Sequence, residues 1–261
     1  IISALRSSIA NGCEGFGVYY QPIVDCVSGR VIGAEALMRY TMVTEEGEER
    51  LSPVEFIPLL EMTGLIIPAG RFLLNEAAKM CCEILQYIPE FKVNVNISYY
   101  QIEHGKIADR ILAAVNDNGL APDHICIEMT ESGFMDMTPA FCKFRKVLEE
   151  NGIQFVIDDF GTGYSNLHCI SDMNPGYVKM DKDFTAKAMS CERDYELFKK
   201  IIEMVHSIGI RICVEGIEEE DWHLKMKELQ ADYLQGYFFG KPCEKKKFME
   251  EFVCNPHNNG V

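Results

Sequence analysis

The stretch Val18-Tyr19-Tyr20-Gln21-Pro22-Ile23-Val24-Asp25-Cys26-Val27-Ser28-Gly29-Arg30-Val31-Ile32-Gly33-Ala34-Glu35-Ala36-Leu37 contains two strand-like runs, Val18–Ile23 and Val31–Leu37. Little more than Asp25-Cys26-Val27-Ser28-Gly29-Arg30 lies between them, with Ser28-Gly29 supplying turn chemistry. A parallel crossover needs about a dozen residues or more, so these runs are expected to pair as an antiparallel hairpin. Further along, Val/Ile/Phe/Tyr-rich runs recur at Lys92–Ile97, His124–Met129, Gln154–Asp159, Tyr177–Met180, Arg211–Glu215 and Tyr233–Gly236. Helix-period segments fall at Pro53–Met62, Arg71–Leu85, Tyr100–Asn118, Thr138–Asn151, Tyr195–Ile208, Asp221–Leu229 and Glu244–Phe252. This alternation predicts an α/β chain, an irregular (β/α)8 TIM-type barrel with an antiparallel first strand. No linker or low-complexity segment divides it, and residues 1–261 are read as one domain.

Composition narrows the function classes. The 261 residues carry 25 basic and 40 acidic side chains, a net charge of −15, with 48% hydrophobic residues. That is the balance of a folded chain. It argues against a nucleic-acid polymer as partner, since counterion release needs a basic face; a small anionic ligand stays open, provided cations are recruited locally. No stretch reaches the roughly 18 to 20 continuous apolar residues of a membrane span, so no membrane contact by this domain is expected. The opening Ile1-Ile2-Ser3-Ala4-Leu5-Arg6 has neither Met nor a signal-peptide layout and begins within an amphipathic pattern. It is read as part of a longer multidomain chain, itself free to be membrane-anchored. None of the eleven cysteines stands in a C-x-x-C pair. Cys81, Cys82, Cys126 and Cys213 lie in apolar context, which suggests reduced core residues and a cytoplasmic location. The six histidines show no paired ligand spacing.

The chemistry collects at the carboxyl ends of the strand-like runs, where such barrels place their catalytic groups. These ends read Glu35, Asn96, Glu128, Asp158 with Asp159, Lys179, Glu215 and Gln235, each after apolar residues. One polar residue after a strand is ordinarily a turn former or cap; so many in succession are not explained by turns. Five carboxylates converging on one mouth repel, and a hard divalent cation relieves that repulsion. Oxygen donors without His or Cys suit Mg²⁺ or Mn²⁺ better than zinc, and adjacent Asp158-Asp159 suits two ions, the usual apparatus of phosphoester hydrolysis. Lys179, a compact cation read at the same rim, is suited to stabilising developing charge on the phosphate. Phe160-Gly161-Thr162-Gly163-Tyr164-Ser165 reads equally as a mobile lid hinged at Gly161 and Gly163 or as a plain strand-to-helix turn.

Taken together, Tyr20-Gln21-Pro22-Ile23-Val24-Asp25, Glu35-Ala36-Leu37-Met38-Arg39, Asn96-Ile97-Ser98, Glu128-Met129-Thr130-Glu131-Ser132, Asp158 through Ser165, Lys179-Met180-Asp181, Glu215-Gly216-Ile217-Glu218 and Gln235-Gly236-Tyr237 resemble the EAL domain family of cyclic di-GMP phosphodiesterases. The likeness runs in order along essentially the whole chain. It implies hydrolysis of cyclic di-GMP to linear pGpG with two Mg²⁺ or Mn²⁺ ions. By resemblance, Glu35, Asn96, Glu128 and Asp158 would ligate the first ion, and Asp158 with Asp159 the second. Glu215 would act as general base or water ligand, and Lys179 would orient the water. Glu131 would anchor the lid and Arg39 would meet a substrate phosphate, with Gln21, Leu37, Asp181 and Gln235 at substrate-binding positions. The family also implies a homodimer and an upstream sensor or GGDEF-type domain. Departures are mild: Tyr40 where Trp is frequent, Met180 where an aliphatic is usual, and Glu218-Glu219-Glu220-Asp221-Trp222 on a helix tied to dimer contacts. Two alternatives stay open: a catalytically weak member that only senses cyclic di-GMP, and a barrel glycosidase using two separated carboxylates.

Overall fold

The computed structural model describes residues 1–44, 47–130, 138–161, 170 and 173–254. Its centre is a closed barrel. Strands β1 (Phe16–Asp25), β2 (Val31–Thr44), β4 (Lys92–Asn96), β5 (Ile125–Thr130), β6 (Gln154–Phe160), β7 (Tyr177–Met180), β8 (Arg211–Val214) and β9 (Tyr233–Leu234) follow one another around the ring. β9 pairs with β1 to close it. β1 is antiparallel to both neighbours, with Tyr19 opposite Leu37 and Gln21 opposite Glu35. The other ring contacts are parallel.

The hairpin follows from its turn. Asp25 Oδ1 accepts from the Ser28 backbone N–H at 2.7 Å and from Ser28 Oγ at 2.6 Å. Gly29 takes a φ of +66°, a left-handed value that glycine adopts without Cβ strain. The predicted fold class is thus observed. Sequence reading missed that β2 runs on past the barrel and folds back as β3 (Gly47–Leu51), and that β10 (Cys243–Glu244) adds beside β1. Both are short or charged and carry little periodic signal.

Helices cover the outside: α1 (Ile2–Ala10), α2 (Pro53–Thr63), α3 (Ile66–Ile84), α4 (Tyr99–His104), α5 (Ile107–Asp117), α6 (Pro139–Glu150), α7 (Lys182–Ser190), α8 (Glu192–Ser207), α9 (Glu220–Glu228) and α10 (Lys245–Phe248). Three of these correct the expected elements. α3 begins already at Ile66, because Pro68 falls in its first turn, where a missing N–H breaks no bond. The helix expected over Tyr100–Asn118 breaks at Lys106, whose φ is +47°. α7 went unread, although Asp181 caps it with Oδ1 accepting from the N–H groups of Asp183 (2.9 Å) and Phe184 (3.2 Å).

Period-two alternation divides each strand between two environments. Val93, Val95, Ile125, Ile127 and Ile157 point outward into the core shared with Leu73, Ala77, Phe141 and Phe198. Ile23, Cys126, Val156, Tyr177 and Cys213 form a separate buried cluster inside the barrel. Cys81, Cys126 and Cys213 are buried as expected, and Cys82 is half-buried. Among the described residues, no helix is long and apolar enough to cross a membrane.

Candidate active site

Five of the candidate site residues lie one inward step beyond the apolar interior cluster. Cys126 is followed in phase by Glu128, Val156 by Asp158, Tyr177 by Lys179 and Cys213 by Glu215, while on antiparallel β1 Gln21 takes the same level two residues before Ile23. A polar layer therefore sits on an apolar one, at the carboxyl ends of the parallel strands. The rule that makes a strand amphipathic here makes the barrel interior amphipathic along its axis.

Lys179 is the hub. Its Nζ lies 2.7 Å from Glu215 Oε1, 3.1 Å from Glu35 Oε2, 3.1 Å from Glu128 Oε1 and 3.3 Å from Asp158 Oδ1. The expectation that it stands at the rim needs correction, because it is fully buried within the barrel. Glu35 receives further hydrogen bonds from Asn96 Nδ2 at 2.7 Å and from Gln235 Nε2 at 2.7 Å. Gln235 Nε2 also donates to Gln21 Oε1 at 3.2 Å, so four of the read positions share one network.

Asp158 and Asp159 pose a geometric problem, since neighbours on a strand face opposite sides. The backbone resolves it. The β6–β7 register shifts between Ile157 and Phe160, and Asp159 adopts a φ of +56°. A bulge with a left-handed residue re-aims the second side chain at the cost of strain, a device concentrated at functional sites. Carboxylate oxygens of Asp158, Asp159 and Glu215 consequently lie within 4.8 Å of one another. Gly161 follows with a φ of +99°, and a Cβ there would stand 2.7 Å from Phe184 Cδ1.

These charges shape one another's protonation. Burial raises Glu128 well above the usual carboxylate range, and the nearby Glu35 adds to it. Burial likewise lifts Glu215 to about 8 against the pull of Lys179. For Asp159, burial and then Asp158 raise the value to about 6. Burial would also raise Glu35, but Lys179 together with Gln235 and Asn96 outweighs it and holds Glu35 low. Burial alone would depress Lys179; Asp158, Glu128, Glu215 and Glu35 push it well above its ordinary value. One cation thus faces four carboxylates, and two of those carboxylates are held toward their protonated forms. The donors are all oxygen, and Asp158 Oδ1 is buried without a hydrogen-bond partner although Nζ stands 3.3 Å away. Such a set fits a hard divalent cation.

Beside the polar layer a cavity of about 550 Å³ is lined in part by Leu37, Arg39 and Asn96, which brings two of the positions expected to bind substrate to the flank of the carboxylate cluster. Arg39 lies 5.4 Å above the Tyr19 ring and donates to the Met38 carbonyl at 2.9 Å. Asp181 is buried, with its carboxylate committed to capping α7. Glu131 and Thr162-Gly163-Tyr164-Ser165 lie outside the described residues. Two residues at the floor of the site escaped sequence reading. Asn94 Nδ2 donates to Glu128 Oε1 at 2.5 Å and also to Tyr177 Oη. The signal for Asn94 was present: an amide between Val93 and Val95, in phase with Asn96, must point into the barrel.

The EAL domain model matches residues 2–242. The chain belongs to the EAL domain family. This EAL domain is 34% identical over 249 residues to the signaling protein YkoW of Bacillus subtilis (strain 168), covering 95% of the chain and 30% of that protein. It is 30% identical over 237 residues to MucR of Pseudomonas aeruginosa, named a bifunctional diguanylate cyclase/cyclic di-GMP phosphodiesterase, covering 89% of the chain and 34% of MucR. The solved PaMucR phosphodiesterase in complex with c-di-GMP superposes with a TM-score of 0.84 at 29% identity, over 94% of the chain and 99% of that structure. The EAL domain spans about a third of the length of the curated relatives it matches first.

Proposed function

We propose that this EAL domain hydrolyses one phosphodiester bond of cyclic di-GMP to linear 5′-pGpG, using two Mg²⁺ or Mn²⁺ ions. The observation that carries the reading is the clustering of Asp158, Asp159 and Glu215 beside the Lys179 hub, with every carboxylate of the polar layer in place. Family membership, and relatives named for this activity or crystallised with this ligand, supply the substrate. Glu35, Asn96, Glu128 and Asp158 would hold one ion, and Asp158 with Asp159 the second. Bound there, the ions would activate water and neutralise charge on the phosphate oxygens.

The residues contribute the rest. Arg39, steadied on Tyr19, pairs with a substrate phosphate at the cavity mouth, where a guanidinium fork suits phosphate geometry. Glu215, 2.7 Å from the Lys179 ammonium and clustered with Asp158 and Asp159, takes a proton from the attacking water once it is ionised. Lys179 stays charged and holds Glu215 at 2.7 Å, fixing the base and opposing the negative charge that grows on phosphorus-bound oxygen. Water attacks phosphorus, its proton passes to Glu215, the P–O3′ bond breaks, and the released 3′ oxygen takes up a proton from solvent to leave as the hydroxyl. The phosphate stays on the 5′ side, which makes the product pGpG.

The domain would work in the cytoplasm, as one part of a longer signalling chain, without nucleic-acid polymers as partners. The test is incubation of the purified chain with cyclic di-GMP, with and without Mn²⁺, followed by chromatography. A pGpG peak that appears only with metal and vanishes in EDTA supports the proposal. Ligand that is bound by metal-loaded protein but never cleaved makes this a sensor instead.

A further inference from the structure

Inside the barrel the layer beneath the carboxylates is apolar except where Asn94 meets Tyr177. Asn94 is 1% exposed, Glu128 is 0% exposed, and Tyr177 is buried. An amide has an N–H₂ edge and a C=O edge, and only the first can face a carboxylate. Asn94 gives one N–H to Glu128 Oε1 at 2.5 Å and the other to the Tyr177 phenol oxygen. The carboxylate selects the edge, since a flipped amide would turn its carbonyl on Glu128, and the Tyr177 oxygen holds the amide there by accepting its second N–H. Tyr177 is in turn held in the interior cluster with Cys126, Val156 and Cys213 and packs edge-on against Tyr233, ring centroids 5.4 Å apart.

We infer that Asn94, set by Tyr177, is a positioning residue that fixes Glu128 as a cation ligand. The inference rests on the metal-dependent reading above and deepens it. Glu128 has no contact with solvent to share its charge, and besides Asn94 its recorded partner is the Nζ of Lys179, at 3.1 Å from Oε1 and 3.2 Å from Oε2. Lys179 also serves Glu35, Asp158 and Glu215, so it cannot set the Glu128 rotamer alone. Asn94 ties Oε1 from β4 while Lys179 reaches both oxygens from β7, so the carboxylate is held by partners on two elements. This is the division of labour by which outer hydrogen bonds aim metal-binding carboxylates, with about 10- to 100-fold of metal affinity attached to it. Asn94 and Tyr177 also border a cavity of about 620 Å³ at the amino ends of the strands. Truncation to alanine would open the floor to water able to replace the amide, so a shape-conserving change is the sharper probe.

The experiment is Mn²⁺ titration calorimetry on wild type, Asn94→Leu, Glu128→Gln and the double variant, with far-UV circular dichroism as the check on folding. Asn94→Leu should bind Mn²⁺ about tenfold more weakly than wild type, yet change nothing further in the Glu128→Gln background, because its whole effect passes through Glu128. Losses that add in the double variant, or wild-type affinity in Asn94→Leu, overturn the inference. If Asn94→Leu does not fold, Tyr177→Phe carries the test in the same cycle, with a severalfold loss expected and none overturning it. A wild-type chain that takes up no Mn²⁺ would sink the metal-dependent reading itself, and this inference with it.

Discussion

Lys179 Nζ and Glu215 Oε1 stand 2.7 Å apart, the shortest of four ion pairs that one buried ammonium makes with carboxylates from β2, β5, β6 and the end of β8. Those carboxylates belong to segments far apart in the chain, so the lysine does at the centre of the barrel what no local interaction could do. It makes an acidic mouth compatible with folding before any cation arrives. The arrangement is asymmetric: breaking a buried charge cluster by removing its counterion costs far more than the cluster contributes.

Lys179→Met is therefore expected to destabilise the metal-free protein by about 3 to 5 kcal/mol, the cost of leaving buried charge uncompensated. Mn²⁺ should restore part of that loss while hydrolysis stays absent. Urea melts with and without Mn²⁺ measure it. An unchanged metal-free midpoint would mean that the carboxylates are neutral without the lysine.

Asp159 gives a pH dependence of definite sign. Its folded pKa is raised to about 6 from an ordinary value of 3.8, so the folded state binds its proton more tightly than the unfolded state does. Stability attached to that proton is complete below about pH 4 and is lost as pH rises through 6. Asp159→Asn tolerates the left-handed backbone and carries no charge. Metal-free Asp159→Asn should match wild type near pH 4 and exceed it by about 1 kcal/mol at pH 7.5, a figure discounted for partial exposure. Equilibrium urea unfolding at the two pH values decides this. The variant should be inactive if Asp159 holds the proposed second ion.

Metal uptake should carry the same protons in reverse. Asp159 at about 6, Glu215 at about 8 and Glu128, which burial holds well above the carboxylate range, must all be ionised to face a cation. Mn²⁺ affinity should accordingly climb as pH rises from 5.5 to 8.5, with protons released on binding. Calorimetry in two buffers of different ionisation enthalpy counts those protons. A pH-independent affinity with no proton release contradicts the raised values.

Gly161 closes the strand that carries both aspartates, at a φ of +99° and with no room for a Cβ against Phe184. Gly161→Ala should lose about 1 to 3 kcal/mol from combined backbone strain and contact. Activity should fall more than stability, because the shift lands two residues from Asp159. Thermal denaturation and initial rates on one preparation separate the two effects.

Arg39→Ala is expected to raise the KM for cyclic di-GMP about tenfold or more with a smaller change in kcat, the pattern of a lost charge-assisted phosphate contact. Arg39→Lys should recover only part of it, since an ammonium cannot form the bidentate fork. Steady-state rates at saturating Mn²⁺ report the split.

Much of this site was legible along the chain because strand alternation is local. Val-Ile-Asp, Cys-Ile-Glu and Cys-Val-Glu endings announce a polar residue at a strand tip, and a six-residue turn rules out a crossover at the first pair. Asn94 obeyed the same alternation and could have been read with Asn96. α7 is short, with its cap Asp181 expected at the substrate instead, and α3 starts before the periodic segment at Arg71 because a first-turn proline, Pro68, is harmless to a helix.

By itself the sequence determined which residue types meet at the mouth, the eight strands of the barrel and the reversed direction of the first. Those depend on spacing and periodicity, which neighbouring residues impose on one another. Only the tertiary structure decided that Lys179 is the buried hub rather than a rim group, that a bulge turns Asp159 toward Asp158, and that Asn94 reaches Glu128. Each depends on register between strands from distant parts of the chain, and register is set when the barrel closes.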